Sequence, residues 1–211
     1  MTMSLNLEKK LLRESIRQHF VADFPASQRT EATEKIAENL RKLLVHAHFL
    51  PGTALFAYWP LLAEEPDFRP ILHDWLGHGM RLGLPGMVWS PRSLVFRQVK
   101  SIAADLVADS KGIPGPRAGL PEFMPEEAGM VIVPGLAFSR AGHRLGRGAG
   151  FYDRFLAKVG PAVPLWAPAF DIQVVPRLPV AEHDMKIHGL ILPDGLWDCQ
   201  SESWVATSAG G

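Results

Sequence analysis

A glycine-rich stretch with two arginines inside it and an aspartate just beyond is where residue types and spacing point to chemistry. Between Pro134 and Arg154 the chain carries Arg144, Gly146, Arg147, Gly148, Gly150 and Asp153. Glycines at 146, 148 and 150 let successive backbone N–H groups face one anion without a Cβ in the way. A helix starting after them would add the positive end of its dipole, and Arg144 and Arg147 two charge-assisted contacts. The stretch reads as a phosphate loop, although glycines so spaced also serve plain turns. It is neither of the common kinds. A Walker A loop needs Gly-Lys-Ser/Thr after the glycines, and a dinucleotide fold needs G-x-G-x-x-G near its first strand.

Asp153 falls in the first helical turn beyond the glycines, where a carboxylate can hold Mg2+ against nucleotide phosphates. Magnesium takes one or two protein carboxylates and keeps several waters, so one more acid completes a site. Asp184, in Glu182-His183-Asp184, is the candidate, with His183 as a supporting neighbour. Taken alone, each aspartate has a plainer reading as a helix-start or turn residue. The histidines show no metal pattern: His46 and His48 stand two apart, and His183 and His188 five apart. The lone Cys199 excludes an internal disulfide and a multi-thiolate metal site, which fits a reducing compartment.

The elements that must position these residues follow from periodicity. Leu5, Leu12, Ile16 and Phe20 recur at helical spacing, with Lys9 and Arg13 four apart on the face beside that stripe. After Pro25, Ser27 is a candidate N-cap for a second helix carrying Ala32, Ile36, Leu40 and Leu43 and ending near Ala47. Ala54–Tyr58 reads as a buried strand stopped by Pro60, Asp67–Gly77 as a helix, and Met80–Leu84 as a strand stopped by Pro85. Leu94–Val99 is another strand. Residues 110–129, with four prolines and four glycines, read as an irregular loop. The continuous apolar run Met130–Val133 then marks a strand buried on both faces, and it leads into the glycine segment. A helix at Phe151–Val159 and strands at Leu165–Phe170 and Leu190–Leu192 complete the set. Alternation of strand and helix predicts an α/β fold: one three-layer α/β/α domain over residues 1–199, with a mostly parallel, Rossmann-like sheet. The Ser-, Ala- and Gly-rich residues 200–211 read as a flexible tail.

Bulk properties narrow the partners. Twenty-two Lys and Arg balance 22 Asp and Glu over 211 residues, so no net field draws a polyanion or an acidic membrane, which argues against nucleic acid and membrane as partners. The first twenty residues carry charges throughout and lack an apolar signal core, which predicts a cytoplasmic protein. No heptad seam appears, and a monomer is the default expectation.

With these residues in place, the chain resembles the 5-formyltetrahydrofolate cyclo-ligase (5,10-methenyltetrahydrofolate synthetase) family over residues 7–195. The most specific part is PGLAFSRAGHRLGRGAGFYDRFL, similar to the family's proline-glycine, arginine-leucine-glycine and glycine-rich tyrosine-aspartate signature. Weaker matches follow in order: KKLLR, YWPLLAEEPDFRPIL, MRLGLP, LVFRQV and AFDIQVVPRLPVAEHDMK. The resemblance implies an ATP- and Mg2+-dependent enzyme acting on a small-molecule folate. Lys9 and Arg13 would reach ATP phosphates, and Arg144, Leu145, Gly146, Arg147, Gly148, Ala149, Gly150, Phe151 and Tyr152 would form the nucleotide loop. Asp153 and Asp184 would hold Mg2+, and Glu65 and Tyr152 would face the folate. Arg144, Arg147 and Tyr152 are the candidates for catalysis. It further implies that ATP phosphorylates the formyl oxygen and that N10 then closes the ring.

Without the family, Lys9 and Arg13 read as solvated helix charges, Tyr152 as packing, and Glu65 as a loop charge. Trp59, Trp75, Trp89 and Trp166 read as structural before they read as a pterin-stacking set. The chain also departs from the pattern. Ser139 stands where the family usually has aspartate, Gly115 where many members have glutamate, and His188 and Pro193 where acidic residues are common. An extra residue between Leu61 and Phe68 makes Glu65, rather than Glu64, the match by spacing. These departures leave open a diverged folate- or ATP-binding relative without turnover. A phosphosugar-binding or CoA-transferase-like module is a further alternative, since a phosphate loop on an α/β sheet does not fix its ligand.

Overall fold

The computed structural model describes residues 4–47, 49–181 and 184–205. Two long amphipathic helices open the chain, α1 (Leu5–Asp23) and α2 (Ala26–His46). α1 buries Ile16 and Phe20, and α2 buries Ile36 and Leu40 of the predicted stripes together with Leu44, while Leu5 is exposed and Leu12, Ala32 and Leu43 are half-buried. The N-cap of α2 is Pro25, not Ser27, and the helix starts one residue before the expected cap. Proline suits that place because a cap needs no N–H and its fixed φ feeds an extended entry.

The strands are β1 (Ala54–Phe56), β2 (Leu82–Trp89), β3 (Arg92–Val99), β4 (Leu106–Ala108), β5 (Pro114–Pro116), β6 (Ala128–Ile132), β7 (Ala137–Phe138), β8 (Arg144–Leu145), β9 (Leu165–Pro168), β10 (Gly189–Leu192), β11 (Gly195–Asp198) and β12 (Ser203–Trp204). The remaining helices are α3 (Arg69–Gly77), α4 (Ile102–Asp105) and α5 (Phe151–Leu156). Eight strands form one sheet in the order β12-β11-β10-β9-β6-β1-β2-β3. The run β10-β9-β6-β1-β2 is parallel throughout, while β3, β11 and β12 join antiparallel at the edges. The mostly parallel sheet is as the sequence predicts.

Alternation along the parallel strands splits the core into two layers. Leu55, Met130, Ile132 and Ile191 face α1, α2 and α3, whereas Phe56, Val131, Leu165 and Leu190 face α5 and its flanking loops. Both faces are covered, giving the three-layer α/β/α arrangement. On the α5 side, Phe56 stacks on Phe96 at 4.6 Å and Phe155 closes over Phe96 at 4.5 Å, which fixes α5 against β3.

Several boundaries differ from the periodicity reading. β2 runs straight through Pro85, because its last register pair with β1 is Phe56↔Gly83 and beyond it β2 pairs within the sheet only with β3. The loop expected over 110–129 contains β5, which forms a small hairpin with β4, and a 3-10 turn at Pro125–Glu127. α5 ends at Leu156, three residues short of Val159. β12 pairs Ser203 and Trp204 with Asp198 and Trp197, inside the stretch whose composition suggested a loose end. Among the described residues, no helix is long and apolar enough to cross a membrane.

Candidate active site

The glycine loop hangs between two anchors. On its near side, β7 and β8 form a two-residue hairpin in which Leu136 N–H donates to Leu145 O at 2.8 Å. Leu145 is buried with Leu136 and Ala137 against Ile16 of α1, so its side chain fastens α1 to the hairpin. On the far side, Gly150 caps α5 at φ 68°, and Phe151 sinks into the core edge-on to Trp89 at 5.4 Å. Gly148 has φ 103°, a conformation that strains any residue with a Cβ. Between these anchors the backbone of residues 146–150 stays at the surface, next to the cations.

α1 delivers two of those cations, one turn apart. Arg13 Nε donates to Gly146 O at 2.8 Å, and its guanidinium lies so near Gly148 that a Cβ there would meet Cζ at 3.4 Å. Lys9 Nζ pairs with Asp184 Oδ2 at 2.5 Å. Asp184 Oδ2 also accepts from Ala181 N at 2.7 Å. Helical periodicity placed Lys9 and Arg13 on one face, and the structure turns that face onto the loop.

Arg144 is the innermost cation. Its side chain is 3% exposed, and Nη2 donates to Asp153 Oδ1 at 2.6 Å. Burial lowers the Arg144 pKa, and the charges of Asp153 and Asp184 and the Tyr152 hydroxyl oppose that shift, so all four belong to one electrostatic cluster. Arg144 Nε is buried and has no hydrogen-bond partner among the described residues.

The rim holds Arg147. Its Nη2 lies 3.4 Å from Glu65 Oε1 and 3.8 Å from Glu64 Oε2. Glu65 Oε2 is held by its own loop, accepting from Leu61 N at 2.9 Å and Leu62 N at 3.3 Å. Beneath the rim, the Tyr152 hydroxyl is buried without a partner among the described residues. Burial, and then the Glu65 carboxylate, raise the pKa of Tyr152 and of Tyr58 above an ordinary phenol, which keeps both neutral. Tyr58 was not singled out in the sequence; it looked like the end of a strand, and only the fold brings it to Glu65, Tyr152 and Arg147.

The structure thus brings together Lys9, Arg13, Arg144, Arg147, Asp153, Asp184, Glu65 and Tyr152 around the loop. Leu145, Ala149 and Phe151 take part through backbone and packing. Glu182 and His183 lie outside the described residues. Among the described residues, no three His, Cys, Asp or Glu side chains gather as a ready metal cage. A groove of ≈ 500 Å³ opens on the far side of Glu65, between Arg29, Thr30 and Thr33 of α2 and Leu61, Leu62 and Arg69. Glu65 lines it, but the glycine loop does not.

The departures from the family pattern have structural uses. Ser139 Oγ accepts His143 N at 3.3 Å and supports the β7–β8 turn. A Cβ at Gly115 would meet Pro85 O at 3.3 Å, so this packing against β2 disfavours a larger residue. His188 Nδ1 accepts Leu165 N at 3.0 Å, and Pro193 O accepts from Asn39 at 3.2 Å. Trp75 and Trp89 spend their indole N–H groups on Arg81 O and Asp109, as structural tryptophans do.

Comparison with known proteins places the chain in a family. The model of the 5-formyltetrahydrofolate cyclo-ligase family matches residues 7–193. A 5-formyltetrahydrofolate cyclo-ligase of Mycolicibacterium smegmatis is 32% identical over 149 residues, 68% of this chain and 75% of that protein. One from Escherichia coli K12 is 30% identical over 141 residues, 64% and 75% of the two chains. The solution structure of Aquifex aeolicus 5,10-methenyltetrahydrofolate synthetase superposes with a TM-score of 0.77 at 25% identity, covering 95% of this chain and 97% of that one. A family match over residues 7–193, nearly the whole chain, makes this protein a member of the 5-formyltetrahydrofolate cyclo-ligase family.

Proposed function

We propose that the chain cyclises 5-formyltetrahydrofolate to 5,10-methenyltetrahydrofolate with consumption of ATP. The observation that carries the reading is the convergence of Lys9, Arg13, Arg144 and Arg147 on one glycine loop, with Asp153 and Asp184 paired among them. A polyphosphate is the ligand that suits four cations and exposed backbone N–H groups.

The residues fit magnesium as well. Asp153 and Asp184 are hard oxygen donors that both bear on Arg144, and a Mg2+ ion that shares phosphate oxygens needs no more from the protein. When bound, the ion would neutralise charge on the phosphate oxygens. Asp153 and Asp184 would hold the ion, and their present partners Arg144 and Lys9 would be available to phosphate.

The chemistry asks little covalent help from the protein. A formamide oxygen is a poor leaving group, so the formyl oxygen attacks the γ-phosphorus, ADP departs, and the oxygen leaves later as phosphate. N10 attacks the activated carbon and gives up its proton, closing the ring. Such transfer is governed by positioning and charge neutralisation, the roles open to Arg144, Arg147, Lys9 and Arg13. Glu65 and the neutral Tyr152 hydroxyl supply an acceptor and a donor for a polar heterocycle. The Tyr152 oxygen, buried without a partner among the described residues, is the group a substrate would satisfy.

Asp153→Asn tests the metal role, because it removes a hard charge at nearly constant volume. Magnesium-dependent turnover of the folded variant should fall by more than about a hundredfold, and its unfolding midpoint should drop as well, because buried Arg144 loses its charged partner. Wild-type turnover in the folded variant would remove Asp153 from the site.

A further inference from the structure

Gln173 lies outside the glycine loop and outside every role assigned above. It ends the 3-10 turn Asp171–Gln173 and is 1% exposed. Buried amides must spend their donors and acceptor, and each bond fixes two segments relative to one another. Gln173 Nε2 donates to Glu64 O at 3.0 Å and to Leu136 O at 3.2 Å, with Gly135 O at 3.5 Å. Its Oε1 accepts from Phe170 N at 3.0 Å. One side chain therefore ties the rim carbonyl next to Glu65 to the two residues that lead into the β7–β8 hairpin, from which the glycine loop hangs.

That placement matters because the rim has few other anchors. Glu65 Oε2 is committed to Leu61 and Leu62 of its own short loop, bonds that shape the loop without fixing it to the rest of the molecule. The ties across to the glycine loop, Arg147 to Glu65 at 3.4 Å and to Glu64 at 3.8 Å, are long and run through a guanidinium that is 36% exposed, and such pairs hold position weakly. The buried amide is the stronger link between the two walls.

We propose that Gln173 is the positioning residue of the substrate wall, holding the Glu64–Glu65 segment at a fixed distance from the hairpin so that Glu65 stands opposite Arg147 and Tyr152. The proposal rests on the reading of Glu65 as the folate-facing carboxylate. None of the four groups that Gln173 bonds belongs to the glycine loop at residues 146–150, so its loss should act chiefly on the Glu64–Glu65 wall.

Two substitutions separate positioning from plain packing. Gln173→Glu keeps the acceptor for Phe170 N–H and replaces the donating nitrogen, while Gln173→Met keeps the volume without burying a charge. In a folded variant, the KM for 5-formyltetrahydrofolate should rise at least about tenfold while the KM for ATP stays within about twofold, since a small misplacement of a binding group is costly. Hydrogen exchange reads the wall directly: the Leu61 and Leu62 amides should be protected in the wild-type chain and exchange at least about tenfold faster in the variants. A wild-type folate KM in either folded variant overturns the proposal, and so does a drop in activity that merely follows the folded fraction. Unprotected Leu61 and Leu62 amides in the wild-type chain overturn it as well, even if neither variant folds. If the wild-type chain forms no methenyltetrahydrofolate, the functional reading fails by itself, and the exchange rates still decide whether Gln173 holds the wall.

Discussion

Three of the four cations offered to phosphate sit opposite a carboxylate, Lys9 on Asp184, Arg144 on Asp153 and Arg147 on Glu65, while Arg13 donates to Gly146 O. The three pairs differ in depth, and depth sets what each contributes. The Arg144 side chain is buried, whereas Lys9 reaches the site on a flexible stem and acts as a point charge. Lys9→Ala should therefore raise the dissociation constant for ATP by about tenfold or more, the worth of one charge-assisted contact, and leave folate binding nearly unchanged. Separate titrations check this, and a defect confined to the folate would contradict it. At this scale the sequence was only partly legible. The glycines, Arg144, Arg147 and Asp153 lie within ten residues and announce themselves. Gln173 and Tyr58 do not, because Gln173 acts on a carbonyl 109 residues away and Tyr58 matters only through the Glu65 and Tyr152 groups that folding brings to it.

Elements were legible where a period was long or an apolar run was unbroken. α1 and α2 show helical stripes over about five turns, and β6 reads as a buried strand from Met130 to Val133 without need of context. β5, β11 and β12 were not legible. Pro114-Gly115-Pro116 has no strand propensity and pairs only because β4 is folded beside it, and β12 is two exposed residues. One junction carries a pH consequence. His188 ties the start of β10 to β9 by accepting Leu165 N on Nδ1, which requires a neutral ring. Burial lowers its pKa, against the opposing pull of Asp198, and burial lowers that of His143 too. The unfolded chain, with ordinary histidines near about 6.5, then takes up protons first as pH falls, so stability is full above that value and declines below it. The unfolding midpoint should drop between about pH 7 and pH 5.5, and His188→Gln, which keeps an acceptor that does not titrate, should flatten the drop. Equal pH slopes in both proteins would remove His188 from this account.

The whole molecule places its site where a parallel sheet hands the chain to irregular backbone. β6 delivers the β7–β8 hairpin and glycine loop, α1 folds back across them from the other end of the chain, and the segment after β1 supplies Glu65. Three stretches far apart in sequence thus meet at one rim, with both faces of the sheet free to serve as core. The central claim is that this rim turns ATP and a formylated folate into a closed ring. A continuous absorbance assay for 5,10-methenyltetrahydrofolate, started from 5-formyltetrahydrofolate with MgATP and repeated with ATP plus a chelator, tests substrate, nucleotide and metal together. The account predicts product with MgATP and almost none under chelation; no product from folded protein with MgATP, or an equal rate without the metal, would contradict it.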